Sequence, residues 1–168
     1  MTNLIAALEA MLTECGEEFC DGICNSNEFA CMGDHPAKWR AVYLFAAECA
    51  KLRGFHALHG EALYHYAESF DEDCEVEKVT AILEEAVDAF RKLTPFQRNF
   101  MYNHTLLHLA RAYVSGNSER QIEKALTIAA ELMVLEANKK ELDTDNALEV
   151  QQAAVKKLAK LRQKAGAA

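Results

Sequence analysis

The sequence predicts an all-α protein with about six helices in an antiparallel bundle. Apolar residues recur every three or four positions along nearly the whole chain, which is the spacing of an amphipathic helix. No segment alternates apolar and polar residues for long enough to indicate a strand. The 168 residues are 51% apolar and include only 2 prolines and 7 glycines. This composition is typical of a folded globular protein.

The first helix is expected from about residue 2 to residue 19, where one face collects the apolar side chains Leu4, Ile5, Leu8, Leu12, Cys15 and Phe19. A loop at about residues 20–35 follows, with glycines, asparagines and most of the cysteines. A second helical region should begin at Pro36, because proline is favoured in a first helical turn. It runs to Phe70, with Gly54 and Gly60 as candidate breaks.

A third helix is predicted by the buried-side residues Val76, Val79, Leu83, Ala86 and Phe90. This spacing places Glu85 and Asp88 on the solvated side. The acidic segment EEAVD (residues 84–88) is therefore not expected to form a magnesium-binding site.

Three more helices complete the predicted bundle. Thr94 and Pro95 are expected to cap the fourth, which should hold the apolar residues Phe96, Phe100, Leu106, Leu107, Ala110 and Tyr113. The segment SGNSE ends it before a fifth helix with Ile122, Leu126, Ile128, Ala129, Leu132 and Leu135. A basic C-terminal helix is expected at about residues 145–164, with Asp143 or Asp145 as its N-cap.

One segment resembles a tetratricopeptide hairpin. In LLHLARAYVSGNSERQIEKALTIAAEL, the small residues Ala110, Gly116, Ala125 and Ala129 have the spacing that lets paired helices pack closely. The resemblance covers about one repeat. It implies a short array of tetratricopeptide-like helical hairpins as the alternative to the bundle.

The whole chain, residues 1–168, is expected to form a single helical domain. Its opening segment has no basic region, and its apolar residues are spaced rather than continuous, so we expect neither a signal peptide nor a membrane span. These features favour a cytoplasmic protein. Stable disulfides are uncommon in that compartment, where clustered cysteines more often bind metal or act in redox chemistry.

The net charge of −8 is distributed unevenly. Residues 1–90 carry 18 acidic and 5 basic side chains, whereas residues 91–168 carry 8 acidic and 13 basic ones. Direct nucleic-acid binding by the first half is disfavoured, because phosphate contacts need cations. The cations of the last helix suit a helix C-terminus; they are Lys156, Lys157, Lys160, Arg162 and Lys164.

The strongest candidate site in the sequence is a cysteine cluster. It consists of Cys15, Cys20, Cys24 and Cys31, with His35 as a further potential ligand. Four thiolates suit tetrahedral zinc, although their spacing is not the paired CxxC of a zinc ribbon. A structural zinc ion would order the loop at residues 20–35. Packing of the thiols as small apolar groups and a redox or disulfide role are the alternatives.

The histidines form a second set of candidates. His56 and His59 fall on the apolar stripe of Cys49, Leu52 and Leu63, so they should point inward, where a core role is favoured over metal ligation. His104 and His108 are spaced i, i+4 but share a stripe with Gln97 and Arg111. We therefore expect them on a solvated face.

The function predicted from the sequence is a non-catalytic, acidic helical module for protein–protein interaction. An acidic run would dock a protein partner with a basic surface; it consists of Glu68, Asp71, Glu72, Asp73, Glu75 and Glu77. No phosphate-binding loop, GxSxG or HExxH motif is present. The alternatives are an acidic mimic of nucleic acid that inhibits a DNA- or RNA-binding enzyme, and a metal-dependent or thiol redox protein. A homo-oligomer is compatible with all three.

Overall fold

The computed structural model describes residues 36–70, 75–98, 100–137 and 145–166, and 87% of these residues are helical. Within these ranges the chain forms six α-helices and no strand. The helices are α1 Pro36–Arg53, α2 His56–Glu68, α3 Val76–Arg91, α4 Phe100–Ser115, α5 Glu119–Ala137 and α6 Asp145–Gly166. The predicted all-α class is confirmed. The predicted helix at residues 2–19 and the loop at 20–35 lie outside the described residues.

Gly54 is the break between α1 and α2. Its φ of 74° is the left-handed conformation that only glycine adopts at low cost. The N–H of Phe55 donates to Ala50 O at 2.9 Å, and the N–H of Gly54 donates to Lys51 O at 3.2 Å. These two bonds form a Schellman motif, which satisfies the last carbonyls of α1.

The prediction of a second break at Gly60 is wrong. Gly60 lies inside α2, where a Cβ atom would come within 2.6 Å of Phe90 Cε2. The glycine is therefore a point of close helix packing rather than a helix end. Leu52 was also placed wrongly, because it is 84% exposed in the last turn of α1.

The chain forms two compact units, and α3 contributes to both. The first unit contains α1, α2 and the part of α3 from residue 85 onward. Its α1–α2 hairpin is antiparallel, since Arg40 near the start of α1 donates to Ser69 O just beyond α2, from Nη2 at 2.8 Å and from Nε at 3.1 Å. The same guanidinium lies 4.1 Å from the centroid of the Phe70 ring.

The second unit contains the start of α3 together with α4, α5 and α6. Tyr102 near the start of α4 donates a hydrogen bond to Glu131 near the end of α5, so these two helices are antiparallel. Lys157 of α6 donates to the carbonyls of Val114 and Ser115, at 2.6 and 3.0 Å, at the end of α4. The predicted hairpin around SGNSE is thus present, and the tetratricopeptide-like array stays a prediction.

The starts of α4 and α5 test the helix caps that the sequence predicts. Ser118 and Gln121 bond each other reciprocally before α5: Gln121 N donates to Ser118 Oγ at 3.2 Å, and Ser118 N donates to Gln121 Oε1 at 3.3 Å. This is a capping box. By contrast, the prediction that Thr94 and Pro95 cap α4 is wrong, because residues 95–97 form a turn and α4 begins at Phe100.

Candidate functional site

The predicted cysteine site lies outside the described residues: Cys15, Cys20, Cys24, Cys31 and His35 all precede Pro36. Among the residues that the structure does describe, no group of three His, Cys, Asp or Glu side chains is placed to hold a metal ion. Cys49 is buried against Ala50 and Leu58. Its role as a core residue agrees with the sequence prediction.

The predicted acidic docking run is described only in part, because Asp71, Glu72 and Asp73 also lie outside the described residues. Glu68 accepts a hydrogen bond from Tyr64 OH at 2.8 Å, and its other oxygen lies 3.1 Å from His65 Nδ1. Glu75 accepts from Lys78 Nζ at 3.4 Å, and Glu77 is exposed in the first turn of α3. Two of the three described carboxylates thus have partners within the chain. The basic partner stays a prediction.

The first unit contains a carboxylate cluster around Glu85. Lys51 Nζ donates to Glu85 Oε1 at 2.7 Å, and His59 Nε2 lies 3.6 Å from the same oxygen. The hydrogen bond from Lys51 lowers the pKa of Glu85 and raises the pKa of Lys51. The imidazole of His59 is buried, and burial lowers its pKa despite the opposing attraction of Glu85.

The second unit contains a different cluster around Glu84. Lys124 Nζ donates to Glu84 Oε1 at 2.7 Å and to Tyr113 OH at 3.0 Å, while Tyr113 OH donates to Glu84. Burial alone would raise the pKa of Glu84, but the bonds from Lys124 and Tyr113 outweigh it and hold the pKa below its ordinary value. Burial and the bond to Glu84 raise the pKa of Tyr113.

Each of these two clusters joins residues that are 29 to 40 positions apart in the sequence. A lysine nucleophile needs a lowered pKa, and a carboxylate general base works best with a raised one. Lys51 and Lys124 have raised pKa values, and Glu84 and Glu85 have lowered ones. Each group is stabilised in its charged form. The hydrogen bonds and the directions of these pKa shifts are those of stabilising ion pairs.

The histidine predictions are confirmed in part. His59 is only 3% exposed, as its place on the apolar stripe predicted. His56 is half-buried at the first position of α2. His104 is exposed on α4 and contacts Phe100 edge to face, with ring centroids 5.7 Å apart. His108 is half-buried, so the stripe predicted to be solvated is only partly so.

The feature that sequence reasoning missed is the turn at residues 94–98. Phe96 was expected on the buried side of a helix, yet its side chain is 97% exposed. Gln97 N donates to Thr94 O at 2.9 Å, and Gln97 Oε1 accepts from Thr94 N and Thr94 Oγ1 at 3.1 and 2.9 Å. Arg98 Nη2 donates to Arg91 O at 3.1 Å. These bonds fix the turn while Phe96 projects into solvent.

The only sequence signal for this turn is the pair Thr94 and Pro95. Thr-Pro is compatible with both a turn and a helix start, because proline fixes φ at a value that suits either. The apolar spacing of Phe96 and Phe100 favoured the helix.

Comparison with known proteins identifies no relative: no protein-family model, curated protein or solved structure matches the chain. No helix among the described residues is both long and apolar enough to cross a membrane.

Proposed function

We propose that the protein is a non-catalytic, acidic helical module that binds another protein, with Phe96 as an anchor of the interface. The observation that carries this proposal is the exposure of Phe96 on a turn held by hydrogen bonds. An exposed phenylalanine contributes nothing to the core of its own chain. In an interface, the same side chain removes a large apolar surface from water.

The turn suits an anchor because its backbone is already ordered. Thr94 and Gln97 bond each other through both backbone and side-chain atoms. Binding through a prearranged segment avoids part of the entropy cost of ordering a loop. Aromatic residues also dominate the small set of side chains that supply most of the affinity of protein interfaces.

The surroundings of Phe96 indicate the chemistry of its partner surface. Arg91 and Lys92 are exposed, Arg98 is half-buried, and residues 89–98 contain no carboxylate. An apolar pocket with acidic groups on its rim would complement this turn. This partner chemistry applies to the turn alone; the basic partner of the acidic run of residues 68–77 is a separate prediction.

The experiment is site-specific photo-crosslinking in the cells from which the protein comes, with a photoreactive phenylalanine analogue at position 96. We expect one defined crosslinked protein. The same analogue at exposed Asp88 is the control and should give none. With the captured protein purified, Phe96→Ala should weaken its binding by about thirtyfold, as expected for the loss of an aromatic hot spot.

The free energy of unfolding of Phe96→Ala is the second measurement of this experiment. Because Phe96 is 97% exposed, Phe96→Ala should change the free energy of unfolding by less than about 0.5 kcal/mol. An unchanged affinity for the crosslinked protein, or equal crosslinking from position 88, would contradict the proposal.

A further inference from the structure

A threonine and a proline lie side by side on the surface of the first unit, in the turn at residues 94–98. Thr94 and Pro95 are both exposed. Thr94 Oγ1 donates to Gln97 Oε1 at 2.9 Å, and Gln97 is exposed as well. The Thr94 hydroxyl is thus held by a surface side chain and not by the core, so breaking one surface hydrogen bond makes it available to an enzyme.

The charge around this hydroxyl is positive. Residues 89–98 contain Arg91, Lys92 and Arg98 and no carboxylate. Arg91 and Lys92 are exposed, and Arg98 Nη2 donates to Arg91 O at 3.1 Å, which holds the Arg98 side chain against the end of α3. A phosphothreonine carries a charge of about −1.5 to −2 and three acceptor oxygens, and neighbouring cations stabilise it. This turn is therefore suited to carry a phosphate group.

We propose that Thr94 is a phosphorylation site for a proline-directed protein kinase, and that the phosphate weakens binding at Phe96. A kinase site that offers no acceptor to the N–H of the next residue favours proline there, because proline has no N–H to leave unpaired. Thr94 Oγ1 attacks the γ-phosphorus of ATP; the new O–P bond forms as the bond from that phosphorus to the bridging oxygen of ADP breaks. ADP leaves, and the hydroxyl proton passes to a carboxylate of the kinase.

The phosphate changes both the bonding and the charge of the turn. The phosphate ester has no hydroxyl proton, so the bond from Thr94 Oγ1 to Gln97 Oε1 is lost. Three cations and no carboxylate give residues 89–98 a charge of +3, which falls to about +1 with the phosphate. A partner with acidic groups around an apolar pocket binds the modified turn less tightly. This effect on binding rests on the proposed function of Phe96, whereas the modification itself does not.

The first test incubates the folded full-length protein with a purified cyclin-dependent kinase, which is proline-directed, and ATP. Mass spectrometry should find about one phosphate per chain, at Thr94, because no other Ser or Thr in the sequence precedes a proline. Thr94→Val should take up none, and Pro95→Ala should be modified about tenfold more slowly or worse. Thr127 is the matched control, since it is exposed but precedes Ile128, and it should stay unmodified.

Two results of this test would overturn the site. One is modification of the denatured chain but not of the folded protein, which would show that the turn does not admit a kinase. The other is absence of phosphate at Thr94 in protein isolated, with phosphatase inhibitors, from the cells in which it occurs.

The second test measures the affinity of both forms for the protein captured by crosslinking at position 96. Phosphorylation should lower this affinity by about tenfold, and phosphatase treatment should restore it. Raising the salt concentration should reduce the difference, because exposed charges are screened. Equal affinities would overturn the regulatory effect. An unchanged affinity of Phe96→Ala would instead contradict the proposed function and leave the phosphorylation of Thr94 to its own test, so the two failures are distinguishable.

Discussion

At the scale of single residues, the burial of His59 makes the free energy of unfolding depend on pH. Its imidazole is 3% exposed, and its Nε2 lies 3.6 Å from Glu85 Oε1. Burial lowers the pKa of His59 below 6.5; Glu85 and Glu48 oppose this shift, whereas Lys51 and Lys92 reinforce it. The His59 side chain therefore takes up its proton at a higher pH in the unfolded chain than in the folded protein. The free energy of unfolding should fall as the pH drops below about 6.5.

The measurement is urea denaturation between pH 7.5 and pH 5. One proton accounts for a slope of at most about 1.4 kcal/mol per pH unit. Glu84 and Glu85 titrate below this range because their pKa values are lowered from 4.5. His59→Gln should flatten the profile, and His104→Gln, a change at an exposed site, should leave it unchanged. An identical slope in wild type and His59→Gln would refute this account of His59.

At the scale of elements, Gly60 controls how closely α2 approaches α3. A Cβ at this position would lie 2.6 Å from Cε2 of Phe90, whose ring is fully buried. Gly60→Ala should therefore destabilise the protein, because overpacking costs about 1–3 kcal/mol. The higher helix propensity of alanine recovers about 1 kcal/mol of this. Thermal and urea denaturation measure the net loss.

The variant Phe90→Leu shows whether Gly60→Ala destabilises the protein through a steric clash or through the backbone. Phe90→Leu removes the ring atoms that the new Cβ would meet, so Gly60→Ala should cost less in the Phe90→Leu background than in wild type. Gly54→Ala is the contrast: no atom lies within 4 Å of its added Cβ, and its φ is 74°. It should cost about 1–2 kcal/mol from backbone strain alone, with no coupling to Phe90. Additive effects of Gly60→Ala and Phe90→Leu would exclude the clash.

At the scale of the whole molecule, we predict one structural zinc ion per chain, bound by Cys15, Cys20, Cys24 and Cys31. Elemental analysis of untagged protein purified without chelator should give about one zinc per chain. Four native thiols should then react only after the metal is removed. Cys49 is buried for a different reason, in the core beside Leu58, so Cys49→Ala should leave the metal content unchanged. Protein without metal, in which those four thiols react freely, would rule the site out.

The sequence by itself predicted the helices because helical periodicity and helix caps involve residues that are close together in the sequence. Val79, Leu83, Ala86 and Phe90 recur every three or four residues over about three helical turns, and all four are buried on α3. The basic helix expected at about residues 145–164 is α6, Asp145–Gly166. Ser118 and Gln121 form their capping box within four residues.

Tertiary structure alone decided which of these local features meet. Glu84 and Glu85 are adjacent in sequence, but Glu84 bonds Tyr113 and Lys124 in the second unit, and Glu85 bonds Lys51 in the first. Partners 29 to 40 positions apart are set by how helices pack, which no local pattern encodes. The exposure of Phe96 has the same origin: its spacing suits a helix, but the hydrogen bonds between Thr94 and Gln97 stabilise a turn instead.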